Sequence, residues 1–259
     1  MDKKDWNRTA KSAVEFYLEG KTIREVASIL GVGKSYVSKK VFEANVSRPR
    51  KIRMGVVRKD VSVCPPLNED FVCFLDGLIM SDGHYKKPSK LSPTSSYIQT
   101  CYKIEWLQSI KTQFYNNGIN SWITISQRND GRHEPVLTTN KYEILYGQYL
   151  KWYSNGIKRV PKNINLNNKQ LLKNWIYGDG TRIGKTLRLC TDSFLEEDID
   201  LLKDKLNYLG FKFKTVFMGN SVLGLKKLRL SICQRDGLFD FLTFVGHCEE
   251  SCFEYKWKS

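Results

Sequence analysis

Long apolar runs are missing from this sequence: none approaches the roughly 20 residues that a membrane-spanning helix needs, so a membrane role is set aside. Paired-cysteine motifs are missing as well. The seven cysteines (Cys64, Cys73, Cys101, Cys190, Cys233, Cys248 and Cys252) are odd in number, form no CxxC, and in places sit inside apolar runs such as FVCF and LRLC. That pattern reads as reduced, mostly buried thiols rather than a disulfide framework. Cys248 and Cys252 lie beside His247 but have no matching ligands elsewhere, so a zinc site is not expected there. The opening MDKKDWNRTAKSAVEF is charged and carries two aspartates, unlike a secretory signal or a transit peptide. These absences together point to the cytoplasm or nucleoid space. Acidic residues are the last shortage: 27 Asp and Glu face 42 Lys and Arg, leaving a net charge of +15. Such a field attracts a polyanion, and nucleic acid is the commonest one in a cell.

What is present has internal order. The length of 259 residues suits one large domain or a large domain with a small one. In TIREVASILGVGKSYVSKKV, Ala27 permits close helix approach, Gly31 supplies a turn, and Val32, Val37 and Val41 return to one apolar side. The layout resembles the helix-turn-helix of DNA-binding proteins and assigns residues 1–46 to a small all-α domain. Its second helix, about Lys34 to Phe42, would present Lys34, Ser35, Tyr36, Ser38, Lys39 and Lys40 to bases and phosphates. Residues 47–66, rich in proline and basic side chains, read as a linker that could follow a phosphate backbone.

Beyond the linker the chain repeats itself. FLDGLIMSDG (74–83) is an apolar stretch that ends on Asp82-Gly83, and LKNWIYGDG (172–180) ends on Asp179-Gly180, 97 residues later. After each Asp-Gly the pattern gives strand, helix, two strands, helix, which divides the remainder into halves at 67–164 and 165–259. Asp82 to Lys158 spans 76 residues and Asp179 to Lys256 spans 77. Glycine after each Asp suits a left-handed helix end. The aspartates face the negative end of a helix dipole and would repel each other if the helices cross, which calls for divalent cations. Small residues one and five positions before each Asp, namely Ser81, Gly77 and Gly178, with Asn174 as the exception, favour that crossing. Alternating strands such as SWITISQ and LRLSICQ leave one sheet face free for a ligand. Beside them stand Lys103, Arg128, Arg132, Lys185, Arg188, Lys212, Lys214, Lys226, Lys227 and Arg229, a set suited to a major groove.

LDGLIMSDG resembles the LAGLIDADG motif of homing endonucleases at Leu75, Gly77, Leu78, Ile79, Asp82 and Gly83, and LKNWIYGDG is a looser copy, matching at Leu172, Ile176, Asp179 and Gly180. The resemblance implies an α+β fold of two pseudo-symmetric αββαββα halves over DNA, with the small helix-turn-helix domain in front. It also implies a monomeric, site-specific endonuclease that makes double-strand cuts with short 3′ overhangs, using two or more Mg²⁺ ions. Asp82 and Asp179, with the adjoining Gly83 and Gly180, would hold the metal. Lys158, Lys256, Gln99 and Lys103 are the further catalytic candidates, for stabilising charge on the reacting phosphate. Asn174 and Trp175 depart from the motif and imply an asymmetric helix pair. The alternative readings are a DNA-binding regulator that keeps the scaffold without cleavage, and a maturase acting on intron RNA.

Overall fold

The computed structural model describes residues 3–44, 66–88, 93–128, 131–220 and 226–258. The expected linker, residues 47–66, and Cys64 fall almost wholly outside them. The chain divides into two compact units, residues 1–59 and 60–259.

The first unit holds helices α1 (Lys3–Leu18), α2 (Ile23–Leu30) and α3 (Lys34–Glu43). A capping box starts α2: the Thr22 side chain accepts from the Glu25 backbone N–H, and the Glu25 carboxylate accepts from Thr22 N at 2.7 Å. Gly31, in the left-handed region at φ 63°, then ends α2, a geometry that glycine adopts without steric cost. Ala13, Val26, Ala27, Val37 and Val41 form the core between the helices. Of the expected contact residues on α3, Lys34, Ser35, Ser38 and Lys39 are exposed. Two of the six are otherwise engaged. Tyr36 packs against the core, and half-buried Lys40 pairs with Glu43 at 2.7 Å.

The second unit carries two halves of identical element order. The first is α4 (Glu69–Met80), β1 (His84–Tyr85), β2 (Tyr97–Thr100), α5 (Ile104–Asn116), β3 (Ser121–Gln127), β4 (His133–Thr139) and α6 (Glu143–Trp152). A short hairpin, β5 (Tyr153–Ser154) with β6 (Ile157–Lys158), follows. The second half is α7 (Lys169–Asp179), β7 (Gly180–Ile183), β8 (Thr186–Cys190), α8 (Glu196–Tyr208), β9 (Lys214–Asn220), β10 (Lys226–Cys233) and α9 (Leu238–Val245), closed by a 3-10 turn at Ser251–Lys256. Both sheets are antiparallel, ordered β1-β2-β4-β3 and β7-β8-β10-β9. Their inner strands turn Tyr97, Leu137, Leu187, Leu189, Leu230 and Ile232 into one continuous core.

The strand pattern read from the residues lacks β1 and β7, which are too short to alternate visibly. The helical reading of 141–154 overruns the true end at Trp152, where the chain turns into the β5–β6 hairpin. The stretch 235–246 is broken by Gly237, at φ 95°, into a 3-10 turn and α9. Among the described cysteines only Cys73 is buried, and the other five are half-buried. No described helix is long and apolar enough to cross a membrane.

Each motif helix is tied to its own half by a buried charge. Asp76, six residues before Asp82, is 2% exposed and accepts from Lys151 Nζ at 2.6 and 2.9 Å and from Trp152 Nε1 at 2.8 Å. Lys173, six residues before Asp179, pairs with Glu249. The two ion pairs hold corresponding places with their polarity reversed.

Candidate active site

Helices α4 and α7 begin alike. Asn68 accepts from Phe71 N–H at 2.7 Å and Asn168 from Leu171 N–H at 3.1 Å, so each asparagine satisfies an orphan donor of the first turn. From there the helices pack face to face. A Cβ added at Gly77 would fall on the Leu171 carbonyl oxygen and within 2.9 Å of Asn174 Cβ, and one at Gly178 would fall on the Ser81 side chain. Small residues therefore allow the crossing in the way the spacing predicts. Asn174, the apparent exception, uses its size: its Nδ2 donates to the Phe74 carbonyl of the facing helix at 3.1 Å. Trp175 is fully buried, and its Nε1 has no partner among the described residues.

The glycines after the aspartates serve a different purpose from the one expected. Gly180 has φ −74°, and Gly83 is not among the residues with positive φ, so neither is a left-handed cap. Space is the reason for both. A Cβ at Gly83 would collide with the Tyr97 hydroxyl and come within 2.8 Å of Gln99 Oε1, and one at Gly180 would lie 2.5 Å from the Ile176 carbonyl oxygen. Each glycine lets the chain leave the helix directly onto the first strand of its sheet.

This exit places the two carboxylates beside the helix crossing. Asp82 is exposed and Asp179 half-buried. Partial loss of solvent raises both carboxyl pKa values, and at Asp179 the charge of Asp82 adds to it, pushing that group up to about 7. Lys158 and Lys256 oppose the effect from either side. Lys158 Nζ donates to the Ser81 carbonyl at 3.3 Å, and Lys256 Nζ to the carbonyls of Ile176 and Tyr177 at 2.9 and 2.5 Å. Each lysine thus satisfies carbonyls at the C-terminal end of its own half's motif helix, where a cation is favoured. Burial drives both ammonium groups down to about 8, against the pull of Asp179 and Asp82.

Asp82, Asp179, Lys158 and Lys256 are therefore brought together; of the other two candidates, Gln99 lies directly behind Gly83 and Lys103 stands at the start of α5. Gln99 is fully buried within β2, where its Oε1 accepts from the Tyr97 hydroxyl under Gly83. That is a positioning place. Lys103 is the residue preceding α5, and its charge is not among those acting on Asp82 or Asp179. Three neighbours were not singled out by sequence reasoning. His84 bonds to the Asp82 backbone, Glu134 adds negative charge near Asp82, and Asp192 does so near Asp179. Only His84, directly after Gly83, carried a positional signal. Among the described residues no group of three or more His, Cys, Asp or Glu forms a metal cluster.

The raised pKa of Asp179 has a testable sign. A carboxyl whose folded pKa exceeds its unfolded one holds a proton more tightly in the native state, so native stability falls as pH rises from about 4 to about 7. Asp179→Asn removes this loss. In EDTA, the variant's Tm relative to the parent is expected to improve steadily between pH 4.5 and 7. A difference that stays constant across that range would show Asp179 to be an ordinary carboxylate.

The basic residues divide between the halves. In the first half, Arg128 and Arg132 sit at the β3–β4 turn rather than in the sheet, with Arg128 paired to Glu134 at 3.2 Å. In the second half they lie on the strands or beside them. Arg188 is on β8; Lys226, Lys227 and Arg229 are on β10; Lys214 is on β9; Lys185 and Lys212 sit in the adjoining turns. Lys214 pairs with Asp236, Arg229 with Asp192 and Lys226 with Glu196.

Comparison with known proteins agrees with this geometry. Over 215 residues the chain is 29% identical to the uncharacterized protein MJ1098 of Methanocaldococcus jannaschii, covering 77% of this chain and 78% of that one. It is 24% identical over 181 residues to the cytochrome b mRNA maturase bI2 of Saccharomyces cerevisiae; the match covers 64% of this chain and spans 41% of the maturase. In fold it matches the solved structure of the homing endonuclease I-WcaI bound to its DNA recognition sequence, with a TM-score of 0.66 at 16% identity over 83% of this chain and 97% of the other. Residues 72–231, which take in nearly all of both motif helices and both sheets, match the profile of the LAGLIDADG DNA endonuclease family, and the chain belongs to that family.

Proposed function

We propose that the protein is a site-specific DNA endonuclease that acts as a monomer and makes Mg²⁺-dependent double-strand cuts. The observation that carries this reading is the meeting of Asp82 and Asp179 at the ends of two crossing helices, where burial opposes ionisation of both. Two carboxylates are a sparse donor set for a protein-only metal cage but suit Mg²⁺, which keeps water and substrate phosphate oxygens among its ligands. Asp82 and Asp179 would hold the ions, with the backbone at Gly83 and Gly180 at the same place; a bound divalent ion supplies an activated water and neutralises the leaving oxygen. Lys158 and Lys256 keep positive charge beside the scissile phosphates, anchored by the helix carbonyls they bond. Lys103 and Gln99 act on this site indirectly, as a phosphate contact and as a support beneath Gly83. Residues 1–46 form a helix-turn-helix domain that lengthens the DNA footprint through Lys34, Ser35, Ser38 and Lys39.

Incubating purified protein with a randomised duplex library in Mg²⁺ or Ca²⁺, and sequencing the ends, tests this. Discrete Mg²⁺-dependent double-strand cuts at one long site are expected. Specific retention without cutting in either ion would make the protein a DNA-binding regulator. In the same assay, removal of residues 1–46 is expected to weaken binding and flatten its salt dependence, because phosphate contacts are lost.

A second reading has its own support in the maturase relative. Tighter binding to structured intron RNA than to any duplex would favour it.

A further inference from the structure

The two sheets can be compared position by position, because each runs antiparallel from the strand that follows its motif helix. In the first sheet, hydrogen-bonded register aligns His84, Ile98, Thr138 and Trp122 in a row across four strands. In the second, the corresponding row is Thr181, Arg188, Ser231 and Lys214. The residues on either side of Arg188, Leu187 and Leu189, are fully buried in the core, so Arg188 belongs to the opposite, open face. Ile98 is likewise flanked by fully buried Tyr97 and Gln99. One place on the two open faces is thus a guanidinium in one half and a branched apolar side chain in the other.

Arg188 also differs from the paired cations Arg229 and Lys214. Arg229 is held by Asp192 at 2.9 and 3.2 Å, and Lys214 by Asp236 at 2.9 and 3.0 Å. Arg188 has no carboxylate partner among the described residues, and its Nε is buried without any hydrogen bond. A buried donor without a partner costs stability unless something external satisfies it. A planar fork on an open sheet face finds its best partner in the O6 and N7 atoms of guanine, whereas an apolar branched side chain suits the thymine methyl group.

Resting on the endonuclease reading for its duplex substrate, we propose that the halves read different bases at one mirrored position: Arg188 selects a G·C pair and Ile98 a T·A pair, at equal distances from the centre of the target. Arg229 and Lys214, each already paired with a carboxylate, set the face rather than read it.

Selection of randomised duplexes by retention on the full-length protein in Ca²⁺ tests this without requiring cleavage. The parent is expected to enrich guanine at one position and thymine at its mirror. Arg188→Ala should lower the guanine preference at least tenfold at that pair alone, and Arg188→Lys should lose it while keeping the salt slope. Ile98→Arg should convert the mirrored pair to guanine, a gain that misfolding cannot imitate. Unchanged guanine preference in Arg188→Ala, or a uniform loss at every position, overturns the proposal and leaves the endonuclease reading intact. Retention with these preferences but no Mg²⁺-dependent cutting supports base reading and removes the nuclease. Failure to retain any duplex removes both.

Discussion

Asp82→Asn and Asp179→Asn are each expected to lower cleavage of at least one DNA strand by roughly 10³-fold, about 4 kcal/mol of transition-state stabilisation, with target affinity unchanged or improved. The amide keeps the shape of the side chain and removes the charge that a divalent ion needs. Binding should not suffer, because the lost charge repels phosphate and the contacts proposed to hold DNA lie on the sheets. At Asp179 the substitution also removes the group whose ionisation is opposed most strongly, by burial and by Asp82. Nicked product should accumulate if each carboxylate serves one strand more than the other. Single-turnover cleavage of a doubly end-labelled target, with a parallel affinity measurement, gives both numbers. Cutting of both strands at the parent's rate by either variant would remove the metal assignment.

Gly77→Ala is expected to destabilise the protein by roughly 2–3 kcal/mol, an unusual result for a helical glycine. In an open helix, alanine is favoured over glycine by up to about 1 kcal/mol. Here the added Cβ meets the backbone of Leu171, with its Cα at 2.8 Å, and backbone cannot rotate away as a side chain can. The helices must separate, which also moves Asp82 relative to Asp179. Displacement of about 1 Å can cost on the order of 10²-fold in rate. Gly147 on α6 is the internal control, since nothing lies within 4 Å of its added Cβ and Gly147→Ala should be neutral or stabilising. Urea midpoints for the two variants measure the contrast. Equal midpoints would mean that the crossing is loose.

The parts of this structure legible in the sequence are those governed by periodicity. The strand at 121–127 shows in the alternation of SWITISQ, and α8 shows in its acidic start and repeating leucines. Asp82, Asp179 and their lysines were visible because duplication printed the same spacing twice. What stayed hidden depends on contacts across the chain. Strand β1 is two residues long, too short for any period, and exists because Tyr97 and Ile98 lie alongside it. The need for Gly83 was visible but its cause was not, since the obstruction is a tyrosine hydroxyl 14 residues away. Gln99 read as a polar candidate for the site, yet pairing with Tyr97 folds it inward. Glu134 and Asp192 reach the site's surroundings from loops and sheet positions that carry no motif.

The reversed ion pairs, Asp76 with Lys151 and Lys173 with Glu249, restrict which segments of the two halves could be exchanged. A motif helix copied alone from one half into the other would set Lys173 opposite Lys151, or Asp76 opposite Glu249, placing like charges where an ion pair had been. Swapping a motif segment alone is therefore expected to destabilise the protein, whereas transfer of a whole half would keep helix and counter-charge together. The exchangeable module is the half, and each motif helix is bound to the distant segment that neutralises it.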